Sequence, residues 1–189
     1  VYIEGNIGAG KSELLDGLSA RGYTVVKEAI EEDWTLFEKA KKDPTRWVPS
    51  FQLQVTLSIA ERIESALKNH WGPWPIIVER SIVSAYLFAR VAGRCGNLSD
   101  TEIELIRRFS LRLNSGFDWY STKTIMLDCP SELCLERIKE RGRAGEEATS
   151  IDYLTMVEDE HINAMDSTWN HVDATKDKDT VLEAVLSMV

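Results

Sequence analysis

The feature that most limits what this chain can fold into is Gly5-Asn6-Ile7-Gly8-Ala9-Gly10-Lys11-Ser12, a complete G-x-x-x-x-G-K-S phosphate loop. Val1-Tyr2-Ile3 before it reads as a buried strand, and Glu13-Leu14-Leu15-Asp16-Gly17-Leu18 after it reads as an amphipathic helix. In such a loop the glycines turn backbone N–H groups inward around a β-phosphate. The lysine reaches the β- and γ-oxygens, and the serine hydroxyl holds Mg²⁺. The segment therefore marks a nucleoside triphosphate site.

The remaining chain repeats the alternation. Short apolar runs at residues 1–4, 24–28, 76–79, 124–128 and 171–175 are candidate strands. Helical patterns fall at 12–20, 34–42, 50–69, 82–92, 99–115, 131–140 and 153–167, with Pro130 suited to a first helical turn. This order predicts an α/β fold, a five-stranded parallel sheet joined by crossover helices. At 189 residues, 43% of them hydrophobic, and with no repeat or linker, the chain is expected to form one domain over 1–189.

Several function classes are disfavoured. The net charge of −9 comes without a basic stripe, so no nucleic-acid partner is expected. Cys95, Cys129 and Cys134 lack C-x-x-C spacing and read as core thiols rather than a disulfide framework or zinc site. His70, His161 and His171 are scattered without ligand spacing. No apolar run approaches the roughly 18 residues of a membrane span and no signal peptide is recognisable, which predicts a cytoplasmic protein without a membrane partner. A trimmed organelle-targeting segment is compatible with that expectation.

Ligands of open α/β sheets bind outside the carboxyl ends of the strands. The first strand runs into the phosphate loop, the second ends at Glu28 and the third at Glu79-Arg80-Ser81, so all three are expected to share one cleft. A charged residue ending a buried strand is also what any strand leaving a core requires. The set beside a phosphate loop points to chemistry.

With these residues in place the chain resembles the deoxynucleoside kinases, P-loop enzymes that phosphorylate the 5′-hydroxyl of deoxyribonucleosides. The likeness runs through Ile3-Glu4-Gly5-Asn6-Ile7-Gly8-Ala9-Gly10-Lys11-Ser12, Val25-Val26-Lys27-Glu28, Asp43-Pro44-Thr45-Arg46-Trp47 with Phe51-Gln52, Val78-Glu79-Arg80-Ser81, and an arginine-rich lid at about 137–149. The resemblance implies the P-loop kinase fold and ATP with Mg²⁺. It makes Glu28 the base that accepts the 5′-hydroxyl proton, with Arg80 holding the 5′-oxygen and the transferring phosphoryl group, and Lys11 on the phosphates. Glu79 and Ser12 would face Mg²⁺, which keeps several waters. Phosphoryl transfer needs cations around the γ-phosphate and a carboxylate at the hydroxyl, so these roles are physically coherent.

Arg137 and Arg141 stand four apart on one helix face and Arg143 follows Gly142, either as a solvated basic face or as a lid that closes over phosphates. In the resemblance they are lid residues, and Glu146, or its neighbour Glu147, reaches the sugar 3′-hydroxyl. Gln52, Val55, Thr56 and Ile59 share one helical face. The resemblance makes Gln52 the amide that pairs with the base, offering donor and acceptor together. Ile59 and Ala85 stand where cytidine-preferring relatives carry arginine and aspartate, and leave room for a thymine methyl group. Trp34 and Phe88 are the candidate aromatics against the base, each displaced by one residue from the family pattern, and Phe88 reads equally as core. Lys41 stands where the family tyrosine grips the 3′-hydroxyl. Asp128 reads as a helix-start residue.

The expected acceptor is thus thymidine or deoxycytidine. The alternatives are a thymidylate-type monophosphate kinase and a non-catalytic P-loop nucleotide module. The resemblance further implies a homodimer, built on the helices at 50–69 and 82–92, and feedback inhibition by a deoxynucleoside triphosphate.

Overall fold

Strand β1 (Tyr2–Gly5) lies at the centre of a five-stranded sheet whose order is β2 (Val25–Val26), β3 (Ile77–Glu79), β1, β4 (Thr124–Asp128), β5 (Asn170–Asp173). Every pairing is parallel, with Ile3 opposite Glu79 on one side and Ile125 on the other. The computed structural model describes residues 1–28, 35–72, 75–115, 122–143 and 146–189. Trp34 lies outside the described residues.

The predicted parallel α/β architecture is the one observed. Successive side chains of β1 point to opposite faces, as the pleat requires. Ile3 joins a core with Leu14, Leu15 and Leu18 of α1 (Lys11–Ala20), Ile125, Leu127 and Val172 of the neighbouring strands, and Leu154 of α7 (Ile151–Ala164). Tyr2 joins a second core with Phe51, Val55, Ile59 and Ile63 of α3 (Pro44–Asn69), Val78, and Ile82 and Ala85 of α4 (Ile82–Arg94). Both layers bury apolar side chains against the strands, which is what holds the carboxyl ends of β1 and β3 side by side.

Boundaries differ from the sequence expectations where caps decide them. α3 starts at Pro44 rather than residue 50, because Asp43 accepts the Arg46 N–H at 3.3 Å and Pro44 fills the first helical position. Pro49 sits inside the helix and forgoes one backbone bond. α7 starts under Ser150, which accepts from Tyr153 N–H at 3.2 Å. The short α2 (Phe37–Lys42), α5 (Asp100–Asn114) with its Ser99–Glu102 capping box, and α6 (Ser131–Arg141) follow the predicted order. The terminal helix α8 (Lys178–Leu186) has no counterpart in the predicted elements. Its signal was present: Asp177 accepts from Asp179 and Thr180 N–H, ahead of buried Val181, Leu182 and Val185. Asp128 is a correction. It does not start a helix; it ends β4 exposed, with both oxygens 3.1 Å from Nδ1 of His171 on β5, and Pro130 precedes α6.

Candidate active site

Between β1 and α1 the chain must reverse within a few residues, and glycine makes this possible. Gly8 and Gly10 have φ of 85° and 96°, in the left-handed region. At Gly8 a side chain is also sterically excluded, since a Cβ would lie 2.5 Å from the Cys134 carbonyl oxygen. The loop is thereby seated against α6 and opens onto a cavity of about 1170 Å³.

Ile7, Gly8, Ala9, Gly10, Lys11 and Ser12 line this cavity. Gly5 and Asn6 are not among its lining residues. Gly5 offers its carbonyl to two cations, whereas the Asn6 amide turns inward to the Leu154 carbonyl at 2.9 Å and Ser131 Oγ at 3.3 Å, fastening the loop to α6 and α7. Lys11 Nζ donates to Gly5 O at 3.1 Å and Asn6 O at 2.8 Å. Burial, with Arg80 adding to it, lowers the Lys11 pKa to about 8 against the pull of Glu79, Glu28 and Glu4. A buried ammonium held only by carbonyls exchanges readily for phosphate oxygens.

Glu28, Glu79 and Arg80 converge at this cavity, as the strand-end argument requires. Glu28 Oε1 lies 3.3 Å from Arg80 Nε, with both side chains largely buried. Burial raises the Glu28 pKa; Arg80 opposes the rise and Glu79 adds to it. Arg80 Nη1 donates to Gly5 O at 3.1 Å, and its guanidinium lies 4.6 Å from the Phe88 ring centroid. Arg80 is the only non-glycine residue with positive φ among the described residues, at 64°. Backbone held in this region outside glycine is characteristic of functional sites.

Ser12 Oγ donates to Glu79 Oε1 at 2.9 Å, and Glu79 Oε2 accepts from Glu28 N–H at 3.4 Å. Among the described residues no group of three or more His, Cys, Asp or Glu is placed to hold a metal. One hydroxyl and one carboxylate suit Mg²⁺, which takes its other ligands from water and substrate phosphates, so the residues fit that ion.

The same cavity is also lined by the apolar Val55, Ile59, Ala85 and Phe88, together with Gln52. Gln52 is buried, and its Oε1 has no hydrogen-bond partner. A buried amide oxygen left unpaired is costly unless a ligand completes it. Thr56, on the same predicted face, instead bonds back to the Gln52 carbonyl at 2.7 Å and does not line the cavity. Phe88 lines the cavity, with one face under Arg80.

Arg137, Arg141 and Arg143 reach the same cavity but are engaged. Arg141 makes a two-bond fork to Glu146 at 2.9 and 2.6 Å, and Arg143 lies 4.0 Å from the same carboxylate. Arg137 donates to the Ala174 carbonyl at 2.9 Å and to Cys129 Sγ at 3.5 Å. Lys41 also lines the cavity and pairs with Glu38 at 2.5 Å. Sequence reasoning missed Phe37 and Tyr153 as lining residues, while Phe51, quoted with Gln52 in the resemblance, lines the cavity too. Tyr153 has its phenol pushed up to about 12 by burial, so the hydroxyl keeps its proton. Phe37 and Phe51 contact each other at 5.5 Å, and nothing in their spacing separates wall from core.

A parallel sheet with a glycine-rich loop at the end of its central strand, an adjacent carboxylate–arginine pair and further arginines lining the same cavity define a P-loop phosphotransferase. The model of the deoxynucleoside kinase family matches residues 1–186, and the chain belongs to that family. It is an ATP-dependent nucleoside kinase. The Fowlpox virus protein named "Probable deoxycytidine kinase" is 36% identical over 165 residues, covering 85% of this chain and 69% of its own length. The thymidine kinase of Ictalurid herpesvirus 1 is 29% identical over 202 residues, covering 99% and 84%. The deoxyadenosine kinase of M. mycoides, solved with bound dATP, superposes with a TM-score of 0.83 at 25% identity over 99% of this chain and 97% of that one. These names differ in the base, so family membership alone leaves the base open. No helix among the described residues is long and apolar enough to cross a membrane.

Proposed function

We propose that the chain, acting as one kinase domain over 1–189, transfers the γ-phosphate of ATP to the 5′-hydroxyl of a pyrimidine deoxyribonucleoside, thymidine or deoxycytidine. The observation that carries this reading is Gln52, buried with Oε1 unpaired in an apolar wall of the cavity that the Glu28–Arg80 pair also lines. Such a wall suits a neutral base rather than a second phosphate, and Ile59 with Ala85 leaves space for a thymine methyl group.

In this reading the Gln52 amide pairs with the base, and the Phe88 ring bounds the base site. The 5′-hydroxyl meets Glu28, whose raised pKa suits a group that must take a proton. As the oxygen attacks phosphorus, the O–H proton passes to Glu28, the bond between the γ-phosphorus and the β,γ-bridging oxygen breaks, and ADP leaves. Arg80 and Lys11 neutralise charge on the transferring oxygens. Ser12 and Glu79 would hold Mg²⁺, which would supply charge neutralisation of the phosphates. Arg141 and Arg143 exchange Glu146 for phosphate oxygens, which frees Glu146 for the sugar 3′-hydroxyl near Lys41. A homodimer through α3 and α4 and inhibition by a deoxynucleoside triphosphate complete the proposal. The dATP bound in the M. mycoides relative supports the latter.

Steady-state phosphorylation of thymidine, deoxycytidine, deoxyadenosine, deoxyguanosine and thymidine monophosphate with Mg·ATP tests it. Turnover is expected on nucleosides, with the two pyrimidines preferred. Turnover of the monophosphate alone would overturn the reading in favour of a thymidylate-type kinase, and ATP binding without transfer would leave a non-catalytic module.

A further inference from the structure

Arg80 holds a left-handed backbone conformation at a strand–helix junction, and something must keep it there. The groups that do so come from two distant elements. Glu4 is buried in the central strand, 1% exposed. Its Oε1 accepts the Ser81 N–H at 2.8 Å, and its Oε2 accepts the Ser84 hydroxyl. Both donors belong to the turn that follows Arg80 directly.

His161 on α7 closes the arrangement. Its Nδ1 lies 2.8 Å from the Val157 carbonyl, which can only accept, so Nδ1 carries a proton. Nε2, fully buried, faces Glu4 Oε2 at 3.8 Å. The imidazole edge meets the Phe88 ring at a centroid distance of 6.5 Å and an interplanar angle of 85°, and the Phe88 ring carries the Arg80 guanidinium. Backbone and side chain of Arg80 are thus braced by one connected set.

We propose that Glu4 is a positioning residue for Arg80, backed by His161, and that it raises turnover without touching either substrate. This inference rests on the kinase reading above. A buried carboxylate spent on one backbone amide and one hydroxyl is a costly way to cap a helix that Ser81 already caps. It is reasonable where the aim of a neighbouring guanidinium must be fixed to a fraction of an ångström, because misplacement of about 1 Å costs on the order of 10²-fold in rate.

The test is a double-mutant cycle of Glu4→Gln and Arg80→Lys, with kcat and both KM values measured on the full chain. Glu4→Gln is expected to lower kcat about 10- to 100-fold while the KM values for ATP and nucleoside stay within about twofold. In the Arg80→Lys background the same change is expected to cost under about threefold. Unchanged kcat, a loss confined to KM, or additive losses would each overturn the proposal. Should Glu4→Gln not fold, Ser84→Ala removes one donor while keeping the carboxylate, and additivity or coupling in its cycle with Arg80→Lys decides in the same way. The Nε–Hε NMR signal of Arg80 separates the two readings. A signal shifted in Glu4→Gln, in a protein whose wild type phosphorylates no nucleoside, would sink the kinase reading and leave the brace standing. An unmoved signal would overturn the brace.

Discussion

Replacing Glu28 by glutamine removes a proton acceptor while preserving shape, and the structure predicts opposite effects on turnover and stability. The carboxylate lies 3.3 Å from Arg80 Nε and is mostly buried, and that burial, reinforced by Glu79, outweighs Arg80 and raises its pKa. Loss of a positioned general base costs about 10²- to 10⁴-fold. At about 1.36 kcal/mol per decade this amounts to roughly 2.7–5.4 kcal/mol of transition-state stabilisation. The folded-state pKa lies above the unfolded-state value, so the native protein binds this proton more tightly than the unfolded chain does. The associated stabilisation is complete below the unfolded-state pKa and is lost as pH rises through the folded-state pKa. Glutamine never ionises and escapes that loss. The variant is therefore expected to match the wild type in acid and to exceed it in thermal stability at pH 8, with ATP binding retained. Steady-state kinetics together with melting curves between pH 5.5 and 8.5 measure both effects. Turnover within about tenfold of wild type would remove Glu28 as the base. A stability deficit that grows with pH would show that the Arg80 ion pair, not burial, dominates the site.

Gly8→Ala places a Cβ 2.5 Å from the Cys134 carbonyl at a φ of 85°, and is expected to cost about 2 kcal/mol or more in denaturant titrations and to weaken ATP binding; a fully stable variant would mean the loop can move away from α6. Ser12→Ala removes the hydroxyl 2.9 Å from Glu79 and should raise the Mg²⁺ concentration for half-maximal rate about tenfold, whereas an unaltered Mg²⁺ titration would place the ion elsewhere. Ile59→Arg with Ala85→Asp introduces a paired donor and acceptor into the apolar wall and is expected to move the thymidine-to-deoxycytidine kcat/KM ratio about tenfold toward deoxycytidine; the same ratio as wild type would mean the base lies against another surface.

The phosphate loop, the parallel sheet and the gathering of Glu28, Glu79 and Arg80 were legible in the chain itself. Each rests on local rules: glycines that free φ, a strand period of two, a helix period near four, and charged residues where buried strands end. Gln52, Val55 and Ile59 were also readable as one face, since residues at that spacing on a helix must point together. Periodicity could not tell that Thr56, on the same stripe, bonds back to its own helix. It also could not show that the Asn6 amide turns inward to fasten α6 and α7, that Asp128 pairs with His171 across two strands, or that Arg141 is forked onto Glu146. The brace of Arg80 is the clearest case. Glu4 read as a motif letter and His161 as a scattered histidine, yet 157 residues of chain bring them within 3.8 Å. Sequence determines which way a side chain leaves its own strand or helix. Which distant side chain it then meets depends on how the layers pack, and a buried charge is tolerated only where that packing supplies its partners.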